Sequence, residues 1–263
     1  MNTKPPATVP AKPSATVAML REGPEAPELL MVRRRAGDVF GDSYAFPGGL
    51  VDDNEPTAHE FCRGITADEA DKLLHVPAGG LNFYSAAIRE LFEETGILLA
   101  QDADANWPPE GPDLRELRVQ VDKGILRWSE FLRDQGLHMI CNALHYFAHW
   151  ETPLIQPKRW SARFFFAEMP TDQDVQHDGS ELTDSLWITA ADALTASRDR
   201  AMKLPFPTIR SLRMFSEIDS IDGLLNWADE RALAGVQKTR PARFEKDGKA
   251  KWTIPGDADY PGE

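Results

Sequence analysis

The amino-acid sequence predicts an α/β fold made of one domain with helical insertions. Three features predict it. Strand-forming runs lie near the start and again after residue 140, stretches of helical period lie between and beyond them, and 263 residues suffice to bury a sizeable core. The domain is expected over residues 15–235, with insertions at about 56–84 and 101–140, a flexible tail over 1–14 and a second tail over 236–263.

The elements follow in chain order. ATVAML at 15–20 and ELLMVRRR at 28–35, separated by the turn-rich REGPEAP, predict a hairpin. YAFPGGLVDD is a short apolar run broken at Pro47, Gly48 and Gly49, where the backbone can turn sharply or approach a ligand closely. In TADEADKLLH, Thr66 and Glu69 have capping-box spacing, so a short helix is expected to start there and to end at Pro77, Gly79 and Gly80. A longer helix is expected from about Phe83 to Thr95, closed by Gly96 in a left-handed cap. After the loop QDADANWPPEGP, the stretch DLRELRVQVDKGILRWSEFLRDQG has helical spacing and predicts one inserted helix. NALHYFAHW, ARFFFAEMP and ELTDSLWIT alternate and are rich in aromatic residues, as strands are. Thr189 with Asp192 marks a helix start, and AADALTASR, FPTIRSLRMF and SIDGLLNWADERAL predict three C-terminal helices. The Asp-Gly turn in RFEKDGKAKW predicts a small closing hairpin.

Composition narrows the function. With 42% hydrophobic and 27% charged residues, the chain has the make-up of an ordinary soluble globular protein. A net charge of -13 argues against nucleic acid or an anionic membrane as the main partner, whereas a polyanionic small molecule is compatible if metal ions bring in positive charge. Cys62 and Cys141 are the only cysteines and form no CxxC pair, so neither a disulfide framework nor a cysteine-rich zinc site is indicated. No apolar run approaches the roughly 18 residues of a membrane span. MNTKPPATVPAKPS lacks the apolar centre of a signal peptide and DYPGE is no SKL-type address, so a cytoplasmic location is expected.

The chemistry concentrates in AAIRELFEETGILLA at 86–100. At about 100° per residue, Tyr84, Ile88, Leu91, Phe92 and Thr95 occupy one face of a helix and Glu90, Glu93 and Glu94 the opposite one. Ala86 falls among the carboxylates, where its small side chain is expected to leave space. Like charges at i, i+3 and i+4 repel. That cost is repaid if the three carboxylates hold a hard divalent cation such as Mg²⁺ or Mn²⁺; the bland alternative is a solvated acidic face. Arg89 is placed to fix a carboxylate by charge-assisted hydrogen bonds, and the glycine turn to offer a carbonyl oxygen to the ion.

Taken together, Gly49, Glu55 and the run Arg89-Glu90-Leu91-x-Glu93-Glu94-x-Gly96-Ile97 resemble the Nudix box, G-x5-E-x7-R-E-U-x-E-E-x-G-U, where U is aliphatic. The gap between Glu55 and Arg89 is 33 residues against seven in the box, 26 longer, so the resemblance is to an interrupted box with an insertion after Glu55. An interrupted box of this kind resembles the nucleoside diphosphate-linked moiety X motif 19 group, whose members act on coenzyme A and its thioesters. FPGGLVDD, HYFAHWETPLIQPKRWSARFFFAEMP, HDGSELTDSLWITAADAL and LPFPTIRSLRMF resemble that group's blocks in the same order and cover most of residues 15–216.

This resemblance implies a Nudix fold, a mixed β-sheet sandwiched between α-helices, with helical insertions and a C-terminal helical extension. It implies metal-dependent hydrolysis of a nucleoside diphosphate linked to another moiety. For coenzyme A or an acyl-coenzyme A the products are adenosine 3′,5′-bisphosphate and (acyl-)4′-phosphopantetheine. Glu90, Glu93 and Glu94 match the metal-binding acids, and Glu90 is the first candidate for general base, with an acid on a later loop as the alternative. Arg89 matches the box arginine, Gly48 the residue whose carbonyl reaches the metal, Glu55 the first box glutamate and Glu181 a loop acid that completes such sites.

Arg33 and Arg35, on one side of a predicted strand, join Gly49 as substrate-binding candidates; a solvated basic edge is the alternative for the arginines. Leu29, Leu30, Arg33 and Phe46 to Gly49 also match a short motif of bacterial coenzyme A pyrophosphatases, from which Met31, Arg34, Asp38 and Asp42 depart. Two other functions stay open: a Nudix pyrophosphatase acting on ADP-ribose or a dinucleotide such as NADH, and a Nudix-fold binding module without catalysis. His145 and His149 are expected to share a strand face about 13 Å apart, too far for one zinc ion. HDGS near Asp184 lacks the G-x-S-x-G elbow of a serine hydrolase.

Overall fold

The computed structural model describes residues 9–34, 41–108, 111–175, 182–246, 249–258 and 260. Strands β1 (Lys12–Arg21) and β2 (Glu28–Arg34) pair antiparallel, with Leu20 opposite Leu29, as the hairpin pattern requires. β1 starts before residue 15, so Lys12 to Ser14, expected in the flexible tail, belong to the sheet: the Lys12 amide donates to Arg159 O at 2.9 Å. Two short strands follow, β3 (Tyr44–Ala45) against β2 and β4 (Gly48–Leu50) against β1.

A 3₁₀ segment over Glu55–Phe61 and the short β5 (Cys62–Arg63) lead into α1 (Ala67–Leu74). The capping box forms as expected, with Glu69 N donating to Thr66 Oγ1 at 3.3 Å and Thr66 N donating to Glu69 Oε2 at 2.8 Å. α1 stops earlier than expected because His75 adopts the left-handed conformation. Helix α2 (Gly80–Thr95) begins ahead of Phe83, its start fixed by Gly79 at φ 81° and by the Gly80 amide donating to Asp71 Oδ1 at 2.5 Å. Gly96, at φ 78°, ends it as predicted.

The second insertion holds β6 (Ala100–Gln101), α3 (Pro112–Asp122), α4 (Trp128–Asp134) and β7 (His138–Ile140). One helix was expected here and two are found. Gly124, at φ 64°, takes a backbone conformation that a helix cannot continue through. β5, β7 and β6 form a small sheet of their own, in that order.

The main sheet adds β8 (His145–Glu151), β9 (Trp160–Glu168), β10 (Leu182–Thr189) and β11 (Lys238–Thr239). Its order is β10-β2-β1-β9-β8-β11, with β3 and β4 paired to β2 and β1. β1 with β9 and β8 with β11 run parallel and the other pairs antiparallel, so the sheet is mixed. Helices α5 (Ala190–Arg198), α6 (Phe206–Phe215) and α7 (Ile221–Ala234) match the three predicted ones. Beyond them, residues expected as a tail supply β11 and a hairpin of β12 (Ala242–Lys246) with β13 (Lys249–Thr253); its Asp247-Gly248 turn lies outside the described residues.

Alternation along the strands builds two cores. Ala15, Val17, Met19 and Phe165 pack with Tyr84, Ile88 and Leu91 of α2, while Ala18, Leu20, Phe164 and Phe166 pack with Ala193, Leu212 and Phe215 of α5 and α6. The sheet is thus sandwiched between helices as expected. Ala86 is fully buried in the first core and does not line the cavity beside the carboxylates, contrary to the helical-wheel expectation.

A bulge in β8 overturns the expectation that His145 and His149 share a face. Tyr146 lies opposite Phe165 but Ala148 lies opposite Phe164, so Phe147 is an extra residue and reverses the alternation. His145 Nδ1 meets Asp229 Oδ1 at 2.8 Å, while His149 Nε2 lies 2.7 Å from Arg163 Nη1 and 2.8 Å from Ser161 Oγ. Burial, and then the charge of Arg163, lower the His149 pKa to about 3. In the unfolded chain it returns to about 6.5. The contribution of His149 to stability is therefore complete above pH 6.5 and is lost as pH falls towards 3. Between pH 7.5 and 5.5 the protein is expected to lose about 1 kcal/mol more than its His149→Gln variant in urea unfolding; equal losses would contradict this.

Candidate active site

Two glycines let β4 lie flush against the acidic face of α2. Gly48 stands at φ 148°, where an added Cβ would run into the Ala15 carbonyl, and at Gly49 an added Cβ would enter the Glu90 carboxylate. The Gly48 amide donates to Glu94 Oε2 at 2.8 Å, tying strand to helix.

Arg89 is the centre of the brace. Its Nε donates to Glu55 Oε1 at 2.8 Å, its Nη1 donates to Glu93 Oε2 at 2.8 Å and lies 3.0 Å from Glu90 Oε1, and its Nη2 donates to Leu50 O at 2.8 Å. The Glu55 side chain, 1% exposed, also accepts from the Ser85 hydroxyl. The insertion that leaves the chain after Glu55 therefore does not displace that residue: Ser85 and Arg89 of α2 recapture it. Sequence reasoning paired Arg89 with a single carboxylate and missed both Ser85 and the Leu50 carbonyl.

Electrostatics follow from this crowding. Burial pulls the Arg89 pKa down, but Glu90, Glu55 and Glu93 together raise it further, so the guanidinium stays charged. Burial is also the largest influence on Glu93; Arg89 opposes it, Glu90 and Asp122 reinforce it, and the carboxyl is pushed up to about 7. A buried carboxylate among other acids is a group whose charged form a cation would stabilise.

Among the described residues no three acids converge as a ready metal site. The reason is visible in the hydrogen bonds: Glu90 and Glu93 are turned to Arg89, and Glu94 to the Gly48 amide. The donor set still fits a hard divalent cation, since it offers carboxylate oxygens beside a glycine turn.

These acids line one end of a cavity of about 840 Å³. That end is made by Gly48, Gly49, Glu90, Glu93, Glu94 and Asp122, the last delivered by the inserted helix α3. Towards β8 the lining carries Trp150 with Phe206 packed against it, and Trp160 and Trp252 line the same cavity. Lys158 is the one basic residue in the described lining. Glu151, also in the wall, is spoken for: burial would raise its pKa, but Arg240, Lys238 and Arg159 outweigh that and lower it.

The predicted residues thus divide. Glu90, Glu93, Glu94, Gly48 and Gly49 line the cavity, and Arg89 and Glu55 brace it. Arg33 is not brought to this lining: its Nε donates to Asp42 Oδ1 at 3.1 Å, and its guanidinium lies 5.9 Å from the Tyr44 ring. Arg35 and Glu181 lie outside the described residues. Asp122 and the aromatic wall were not foreseen. Isolated aromatics carry no spacing signal, and Trp252 sits in the stretch expected as a tail.

An acid-faced helix braced through its own arginine under a glycine turn, at the edge of a mixed sheet between helices, defines a Nudix hydrolase, an enzyme of the diphosphatase class. The comparisons agree with the geometry. Residues 54–215, more than half of the chain, match the NUDT19 Nudix domain, and the chain belongs to that family. It is 24% identical over 271 residues to the acyl-coenzyme A diphosphatase NUDT19 of Xenopus laevis, covering 89% of this chain and 71% of that protein. With the Homo sapiens protein of the same name it is 25% identical over 192 residues, covering 68% of this chain and 50% of that protein, so the match spans half the human relative. The crystal structure of a NUDIX hydrolase from Alicyclobacillus acidocaldarius superposes with a TM-score of 0.71 at 26% identity, over 84% of this chain and 97% of that one.

Proposed function

We propose that this enzyme hydrolyses the diphosphate of coenzyme A or an acyl-coenzyme A to adenosine 3′,5′-bisphosphate and (acyl-)4′-phosphopantetheine, with Mg²⁺ or Mn²⁺ as cofactor. The observation that carries the reading is one cavity lined by four carboxylates, Glu90, Glu93, Glu94 and Asp122, and by aromatic rings, with Lys158 the one basic residue in the described lining. Such a lining repels a diphosphate unless cations accompany it. The name of its relatives, acyl-coenzyme A diphosphatase, supports the coenzyme A part.

In this reading Glu90, Glu93 and Glu94, with the Gly48 carbonyl and Asp122 beside them, hold the cation. When bound, it supplies charge neutralisation at the phosphate oxygens and acidifies the attacking water. Glu90 takes the water proton as general base. Water oxygen adds to phosphorus, the anhydride P–O bond breaks, and the departing phosphate carries away the electron pair. Arg89 keeps Glu90 and Glu93 oriented from behind, and Glu55, buried under Arg89, keeps the arginine from swinging into the substrate. Gly49 gives the phosphates close approach to β4. Arg33 is held by Asp42 away from the described lining, and Arg35 and Glu181 lie outside the described residues. No helix among the described residues is long and apolar enough to cross a membrane, and a cytoplasmic site of action is part of the proposal.

Product analysis tests it. The purified protein with Mg²⁺ or Mn²⁺ is offered coenzyme A, an acyl-coenzyme A, ADP-ribose and NADH, with Glu94→Gln as the blank. Adenosine 3′,5′-bisphosphate formed by the intact protein alone is the expected result. Dominant AMP release from ADP-ribose or NADH overturns the coenzyme A assignment, and no product from any of them favours the binding module.

A further inference from the structure

We propose that the aromatic end of the cavity, with Trp252 of the C-terminal hairpin as its outer wall, holds the nucleobase of the substrate. The proposal rests on the nucleoside-diphosphate part of the reading above and not on coenzyme A itself.

The strand register gives the cavity floor its direction. Thr16 lies beside Phe164 and Ser14 beside Ala162 across β1 and β9, and Ala162 lies opposite Trp150 across β9 and β8, so these side chains share one face. β4 pairs with the far edge of β1 at Ser14 to Thr16. At ~4.8 Å between strands, the three steps from β4, where Glu94 meets Gly48, to β8 span about 14 Å. A nucleoside diphosphate laid on this floor with its anionic groups at the carboxylates extends its ribose and base towards β8.

What waits there suits a planar, polar-edged ring. Trp150, 4% exposed, packs edge-on to Phe206, with ring centroids 6.4 Å apart and planes at 88°, and its Nε1 donates to Ser211 Oγ at 3.0 Å, so it is a fixed backing to the pocket. Aromatic rings stack on any nucleobase face. Gln156, in the same wall, offers an amide to a base edge. Trp252 is 39% exposed, which leaves ring surface available to a ligand.

The hairpin that carries Trp252 is anchored. Arg210 Nη2 of α6 donates to Asp257 Oδ1 at 3.0 Å, Thr253 Oγ1 donates to Asp257 Oδ2 at 3.1 Å, and Arg240 Nε donates to Glu151 Oε1 at 2.8 Å. These bonds hold Trp252 and Pro241 against the same cavity that the box acids line. Both residues lie beyond the 54–215 span of the family match, so this wall is contributed by the chain's own C-terminal segment.

Calorimetric titration of AMP, ribose 5-phosphate and 4′-phosphopantetheine into the full chain, Trp252→Ala and Trp252→Phe tests the assignment. AMP and ribose 5-phosphate differ only by the base, and none of the three contains an anhydride to cleave. Trp252→Ala is expected to weaken AMP by about tenfold, Trp252→Phe to restore it, and the other two ligands to bind unchanged. Unchanged AMP affinity in Trp252→Ala overturns the proposal, as does a loss confined to 4′-phosphopantetheine, which would place the acyl-bearing arm at this end. If coenzyme A proves not to be cleaved while AMP shows the expected loss, the coenzyme A reading falls and the base subsite stands.

Discussion

Glu94→Gln is expected to lower turnover by about 10³-fold with little change in thermal stability. The exchange removes a negative charge from the acid end of the cavity, and ligand charge is what draws a hard divalent cation to oxygen donors. Loss of the charge neutralisation that such a cation provides is worth several kcal/mol in the transition state, and each 1.36 kcal/mol is tenfold in rate. The fold is spared because Glu94 is held by a hydrogen bond from the Gly48 amide, which a glutamine carbonyl oxygen accepts equally. Steady-state kinetics at saturating Mg²⁺, with a melting curve beside them, check both halves. A variant that keeps full turnover removes Glu94 from the metal site, and one that is inactive because it is unfolded does not count as support.

Arg89→Ala should have the largest effect on stability. Arg89 is the hydrogen-bond partner of Glu55, whose side chain is 1% exposed, and it also faces Glu90 and Glu93. Removing one partner of a buried ion pair leaves an uncompensated charge and costs roughly 3–5 kcal/mol. For a chain of this size that corresponds to a melting temperature lower by about 10 °C. Arg89→Lys is expected to recover only a fraction, because an ammonium group cannot reproduce the planar fork that reaches two carboxylates and the Leu50 carbonyl together. A melting temperature within about 2 °C of the parent for Arg89→Ala would show that the brace is not structural.

Much of this architecture was legible in the sequence, and the reasons are physical. Local signals were read well: the Thr66–Glu69 box, the Thr189 cap, the Gly96 stop and the early hairpin all formed. Each depends on residues a few positions apart, so a linear reading sees the whole interaction. That Glu90, Glu93 and Glu94 all line the cavity was legible for the same reason, since i, i+3 and i+4 positions share one helix face.

What escaped notice depends on tertiary contact. No spacing rule links Ser85 to Glu55 or Leu50 to Arg89, and none links Trp252 to Glu94 across the cavity. Single insertions and breaks also hide from periodicity. The bulge at Phe147 moved His149 to the opposite face, and Gly124 divided a helical pattern that looked continuous. The site of Arg33 illustrates the limit of strand alternation: it places the side chain on a face, but Asp42 and Tyr44, from a neighbouring segment, decide what it meets.

On the proposed reading, the α2 carboxylates hold the cation that makes this lining fit for a diphosphate. The most direct test is Mn²⁺ binding followed by electron paramagnetic resonance, comparing the parent chain with Glu94→Gln. Saturable binding by the parent is expected, with an affinity at least about tenfold weaker in the variant for one lost charged ligand. Equal Mn²⁺ affinity in the two folded proteins would contradict it.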